Sequence, residues 1–277
     1  LLNPPLESYA PPLQVPERKP GQGKLKWLFH AGKAYLSFYK SGIKNVRASS
    51  KLAKTLRAKV TANPEQKDTT LLSRAEWQLV RRTRADMLRL PAFALVFLVL
   101  GEWTPLVALY LTPVIPEPCR IPAQIERVQT KAEARRAERF KRVAHDAARL
   151  AARGGGGGKE EEVKFDVKNF SAKQARALRE ALSKLEPRVS LFQLLLLSAR
   201  FDAHPGVLDR LFVTPPRWML ERGLQRKMEY LVQDDGLVAR DGGWGGLRRE
   251  EVVRACFERG VDVKGRSEGE LRKVLAA

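Results

Sequence analysis

One carboxylate stands inside the only long apolar run of the chain. Residues 90–116 read LPAFALVFLVLGEWTPLVALYLTPVIP, and Glu102 is the single acid among them. An acid held in hydrocarbon is protonated, hydrogen-bonded or paired, so its chemistry is the handling of a proton or a cation. The plainer reading is packing. Glu102 then fixes helix contacts or depth, while Gly101 lets a second backbone approach and Pro105 loosens the helix by removing a backbone donor. At ~1.5 Å per residue such a run spans a ~30 Å hydrocarbon core with tilt to spare. A central acid costs about 3 kcal/mol there. One span cannot enclose an ion path, so the exchange reading requires a homo-oligomer.

Asp86 and Arg89 precede the run three residues apart, a spacing that pairs them on one helical face. After it, Arg127, Lys131, Arg135, Arg136, Arg139, Lys141 and Arg142 form a basic stripe. Arg217, Arg222, Arg226, Lys227, Arg248, Arg249 and Arg254 follow further on. The chain has 277 residues and a net charge of +20, from 51 Lys+Arg against 31 Asp+Glu. That excess points to polyanions, either nucleic acid or anionic lipid. The two cysteines, Cys119 and Cys256, form no C-x-x-C pair. His30, His145 and His204 are scattered, so no metal site is expected. No nucleophile–base pair or nucleotide motif points to an enzyme, a cofactor or a small-molecule substrate.

These residues need helices to carry them, and alternating β patterns are scarce. Residues 1–23 are proline-rich and expected to be disordered. Residues 24–89 form a basic amphipathic helical segment, with a break at Asn63-Pro64 and a capping box at Ser73 and Glu76. Residues 90–116 are expected to be a transmembrane helix, and residues 117–153 a charged helix stopped by five glycines. Residues 154–165 are a flexible linker. Residues 166–277 read as a helical domain. Ser171 caps its first helix, residues 189–201 are a buried core helix, and Gly260 ends the penultimate one. The expected class is all-α: one transmembrane helix, then a soluble helical domain.

Three stretches resemble the LETM family of mitochondrial inner-membrane proteins. They are HAGKAYLSFYKSGIKNVRASSKLAKTLR, the run from LLSRAEWQLVRRTRADMLRLPAF to LTPVIPEP, and the closing LRREEVVRACFERGVDVKGRSEGELRKVL. The second carries the most specific points: Arg82, Asp86, Arg89, Pro91, Glu102, Pro105, Pro113 and Pro116. The resemblance implies an inner-membrane anchor and a 14-3-3-like helical domain in the matrix that binds the mitochondrial ribosome, through protein or rRNA. It also implies a link to potassium or calcium exchange against protons, the alternative function. The chain departs from the family at several points. Asp234-Asp235-Gly236 lacks the spacing of an EF-hand loop, no long heptad follows, and Leu100-Gly101 and Tyr110 replace family Pro and Lys positions.

The expected function is therefore ribosome binding at the inner membrane in support of membrane-coupled translation and insertion. The two basic stripes are the candidate ribosome contacts, and the segment before the apolar run is the candidate contact for anionic inner-membrane lipids. Arg81, Arg82, Arg84 and Arg89 favour keeping the N-terminal side in the matrix. The resemblance places the C-terminal domain there, and that placement is adopted.

Overall fold

The computed structural model describes residues 1–18, 20–21, 23–100, 112–152, 166–167, 170–183, 189–211 and 213–276. All regular structure among them is helical, in two units, Leu1–Val128 and Gln129–Ala277.

The first unit is an antiparallel helix pair. Helix α1 (Lys24–Thr61) buries Tyr39, Gly42, Val46, Ser49, Ala53 and Leu56, a recurrence of three or four residues that draws one stripe along the helix. After the break at Asn63-Pro64 comes the single turn α2 (Asp68–Leu71), then α3 (Arg74–Leu100). The start of α3 is held by the expected capping box: Ser73 N–H donates to Glu76 Oε2 (2.8 Å), and Glu76 N–H donates to Ser73 Oγ (3.4 Å). The ring of Tyr39 meets that of Phe93 at 5.8 Å, and Arg57 donates to the Val80 carbonyl at 3.2 Å, so the two helices run in opposite directions. Phe38, Ile115, Cys119 and Ile121 complete this core. Gly42 is required where the chain returns under α1, because a Cβ there would lie 2.7 Å from the Pro118 carbonyl oxygen and 2.8 Å from Cys119 Sγ. The proline-rich start makes one 3₁₀ turn, Leu6–Ser8, and is tied to the pair. Ala75 N–H donates to the Leu1 carbonyl, and Arg74 to that of Leu2.

The expected transmembrane helix is overturned: among the described residues no helix is long and apolar enough to cross a membrane. Residues 90–100 are the last turns of α3, whose earlier turns carry Arg81, Arg82, Arg84, Asp86 and Arg89. Thr112–Val114 and Glu117–Cys119 are 3₁₀ turns instead of helix. The apolar composition of the run serves partly as core, since Phe93 and Ile115 are buried against Tyr39. Residues 101–111, with Gly101, Glu102 and Pro105, lie outside the described residues.

The second unit begins within α4 (Pro122–Ala152) and continues through α5 (Ala172–Ser183), α6 (Leu191–Phe201) and the short α7 (Gly206–Arg210). The long α8 (Arg217–Asp241), α9 (Arg249–Glu258) and α10 (Glu268–Ala276) complete it. Helix α8 packs on α5 and α6, and α9 packs on α10. Leu178, Leu194, Leu197, Leu220, Leu224, Met228 and Leu231 form the buried layer. Capping boxes at Ser171 with Gln174 and at Ser267 with Glu270 start α5 and α10. Gly260 (φ +72°) ends α9, and Val261 N–H closes back on the Cys256 carbonyl at 3.0 Å. Gly223 admits the loop after α6 so closely that a Cβ would lie 2.2 Å from the Ala203 carbonyl oxygen.

Candidate functional site: the arginines of the second unit

Helix α4 turns Ala132, Arg136, Arg139 and Val143 to one side, and all four are buried. Two arginines thus occupy positions that an amphipathic helix gives to apolar residues. Each has a built partner. Arg139, whose side chain is 3% exposed, donates from Nε and Nη2 to Asp209 Oδ2 at 2.8 and 2.6 Å. It also reaches Asp202 Oδ1 at 2.5 Å and the His204 carbonyl at 3.1 Å. Arg136 pairs with Asp262 at 3.0 Å, donates to the Phe257 carbonyl at 3.3 Å and lies over the Phe257 ring. Three residues before Arg136, Glu133 accepts from the backbone N–H groups of Val263 (2.8 Å) and Lys264 (3.3 Å). Arg135 binds Asp202 at 2.7 Å, and Arg142 donates to the Asp209 carbonyl at 3.0 Å. One face of α4 is therefore clasped to the α6–α7 loop and to the loop after α9.

The clasp closes over a buried histidine. Ser198 Oγ and His204 Nδ1 are 2.6 Å apart, and His204 Nε2 lies 3.3 Å from Asp209 Oδ1. The residue types are those of a nucleophilic triad. Ser198 is 0% exposed, however, and Asp209 is shared with Arg139, so no acyl group can reach the hydroxyl and the trio holds the loop. Burial and the neighbouring Arg139 hold the His204 imidazole below its ordinary pKa. Burial would raise the pKa of Asp209, but the hydrogen bonds and charges of Arg139 and His204 more than offset it and keep the carboxylate below its usual range.

A second ionic group joins α8 to the end of α9. Arg259 reaches Asp235 Oδ1 at 2.5 Å and the fully buried Asp234 at 3.1 Å, and stacks over Trp244 at 4.7 Å. Burial works against its charge, but Asp235 and Asp234 outweigh that and raise its pKa above the ordinary guanidinium value. The Asp-Asp-Gly sequence, whose spacing does not fit an EF-hand loop, lies within a helix and holds an arginine. Arg272 plays a smaller part, binding Glu268 and the carbonyls of Trp244, Gly245 and Leu247.

The sequence-derived candidates divide accordingly. Arg135, Arg136, Arg139 and Arg142 are consumed by the clasp. Arg217 pairs with Glu221 at 2.7 Å, Arg254 lies 3.5 Å from Glu258, and Lys227 sits over the Tyr230 ring. Lys131, Lys141, Arg222, Arg226, Arg248 and Arg249 are exposed, as is Arg127 in the first unit. Asp86 and Arg89 stand 3.6 Å apart, and Asp86 accepts from the Glu117 N–H at 2.8 Å. Burial lifts the Asp86 pKa to about 6 against that hydrogen bond.

Sequence reading missed Asp202, His204, Asp209, Asp262 and Arg259. The available signal was the placement of Arg136 and Arg139 in register with Ala132 and Val143.

The fold and this cluster define an ion-clasped, all-α domain that keeps some of its arginines inside and the remainder on its surface. Residues 72–277 match the family model described as LETM1-like, RBD, and the chain belongs to that family. No curated protein and no solved structure gives a significant match.

Proposed function

We propose that the second unit binds the mitochondrial ribosome, through protein or rRNA, and so supports translation and insertion at the matrix face of the inner membrane. Membership of a family described by its RBD, a ribosome-binding domain, and associated with the inner membrane supports this reading. The observation that carries it is the division among the arginines. Arg222, Arg226 and Arg249 are exposed with no carboxylate partner among the described residues, so their charge is available to phosphate. Lys131 and Lys141 add to it from the outer face of α4.

Anionic inner-membrane lipid is the partner proposed for the first unit, where α1 exposes Lys33, Lys40, Lys44 and Lys51. Each basic residue near such a surface contributes about 1 kcal/mol. No enzymatic step, cofactor or small-molecule substrate is assigned.

Cosedimentation of the full chain with mitochondrial ribosomes over a salt series tests the proposal. The expected result is binding that weakens steadily as salt rises. No binding even at low salt would remove the proposal.

A further inference from the structure

Trp218 is 61% exposed on the first full turn of α8. Four and eight residues on, Arg222 and Arg226 continue the same face, also exposed. Large apolar side chains on a protein surface are ordinary when single. An indole followed along the helix by guanidinium groups that lack acid partners among the described residues is a different arrangement. The unit pairs its other α8 arginines, Arg217 with Glu221 and Arg240 with Asp241, whereas Arg222 and Arg226 have no acid partner among the described residues.

We propose that Trp218, Arg222 and Arg226 form a docking surface for single-stranded RNA, with one unpaired base stacked on the indole and adjacent phosphates held by the two arginines. This rests on the ribosome-binding reading and adds to it the chemistry of one contact. Every base has a flat π face, so stacking on an exposed tryptophan is tolerant of sequence. Guanidinium groups bind phosphate oxygens bidentately and carry the salt dependence. A duplex keeps its bases inside the stack and offers the indole nothing. An acidic protein segment would satisfy the arginines but would leave the ring without a flat partner. The spacing fits as well: residues four apart rise ~6 Å along a helix, about the distance between successive phosphates of an extended strand. Glu229, exposed one turn beyond Arg226, sets an acidic limit to the path.

The test uses the full chain with a fluorescein-labelled short oligoadenylate, and with the same strand annealed to its complement. Anisotropy is read over a salt series. Trp218→Ala is expected to weaken binding of the single strand about ten-fold or more. Duplex binding and the salt slope stay as in the parent, and Trp218→Phe restores most of the loss. Arg222→Ala with Arg226→Ala is expected to weaken both RNAs and to lower the single-strand slope by about 1.4. An unchanged thermal midpoint in each variant excludes a folding defect.

The proposal is overturned if Trp218→Ala binds the single strand as the parent does, or loses the duplex to the same degree. Ribosome cosedimentation separates this failure from the wider one. Variants that still pellet with ribosomes but show no RNA defect leave the ribosome reading standing and assign the contact to ribosomal protein. A parent chain that does not pellet removes both.

Discussion

The first unit buries Asp86 against a backbone amide at 2.8 Å and two arginines, Arg74 and Arg82, the former on the Leu2 carbonyl, while the second buries arginines against carboxylates drawn from two loops and two helices. The first holds its helices by aromatic and aliphatic contact around Tyr39 and Phe93. The second has an apolar layer too, but its longest helix is fastened by ion pairs. An apolar stripe tolerates sliding and volume-conserving change. A buried guanidinium tolerates neither, because loss of one partner leaves the other charged and unsatisfied. The second unit is thereby specified at single residues, and its surface charge is set by which arginines the interior has taken.

Breaking the clasp is expected to give the largest effect. Arg139→Met should destabilise the second unit by about 3–5 kcal/mol in urea unfolding, because Asp202 and Asp209 lose their main partner. Arg135→Met, at a side chain 41% exposed on the same Asp202, should cost under about 1 kcal/mol. Equal losses would show that burial does not decide the matter.

Next in size, Gly223→Ala forces a Cβ into the Ala203 carbonyl, where backbone must move. A loss of about 2–3 kcal/mol is expected, read as a fall in thermal midpoint. Gly236→Ala in the same helix meets open space and should stabilise by a few tenths up to about 1 kcal/mol.

A smaller and more diagnostic effect is the sign of the pH response. Asp86 has its pKa raised from 3.8 to about 6 in the fold. Its contribution to the first unit is whole below pH 3.8 and is lost as pH rises through about 6, a change of up to ~3 kcal/mol. His204 and Asp209 are held below their ordinary values. The contribution of His204 to the second unit is whole above about pH 6.5 and fades as pH falls below it, while that of Asp209 is whole above about pH 3.8 and fades only below that. Hydrogen exchange read separately at α3 and α6 between pH 4 and 7 should therefore move in opposite directions. Asp86→Asn should flatten the first response and leave the second.

Much of the fold was legible because helix starts are local. Ser73 with Glu76, and Ser171 ahead of its helix, mark boundaries within one turn of themselves. The end of α9 at Gly260 and the buried helix of residues 189–201 were readable for the same reason. The inward arginines were not, because each is defined by an acid far along the chain: Asp209 for Arg139, Asp262 for Arg136. Counting basic residues along α4 did not separate Arg136 and Arg139, which are buried, from Arg135 and Arg142, which make ion pairs at the surface.

The apolar run misled differently. Length and hydropathy do not show that residues 90–100 close a helix carrying Arg81, Arg84 and Asp86, or that residues 112–114 and 117–119 are 3₁₀ turns, and Phe93 and Ile115 satisfy the same apolar pattern within the core around Tyr39. Trp218 carried no local signal, since a tryptophan beside Pro215-Pro216 reads equally well as core.

The account turns on the separation of structural arginines from available ones. The most direct measurement is ribosome cosedimentation of a chain carrying Arg222→Ala, Arg226→Ala and Arg249→Ala, with its unfolding midpoint measured in parallel. The account predicts at least about a ten-fold loss of binding, a shallower salt dependence and an unchanged midpoint. Parent-like binding by this variant, with the fold intact, would contradict it.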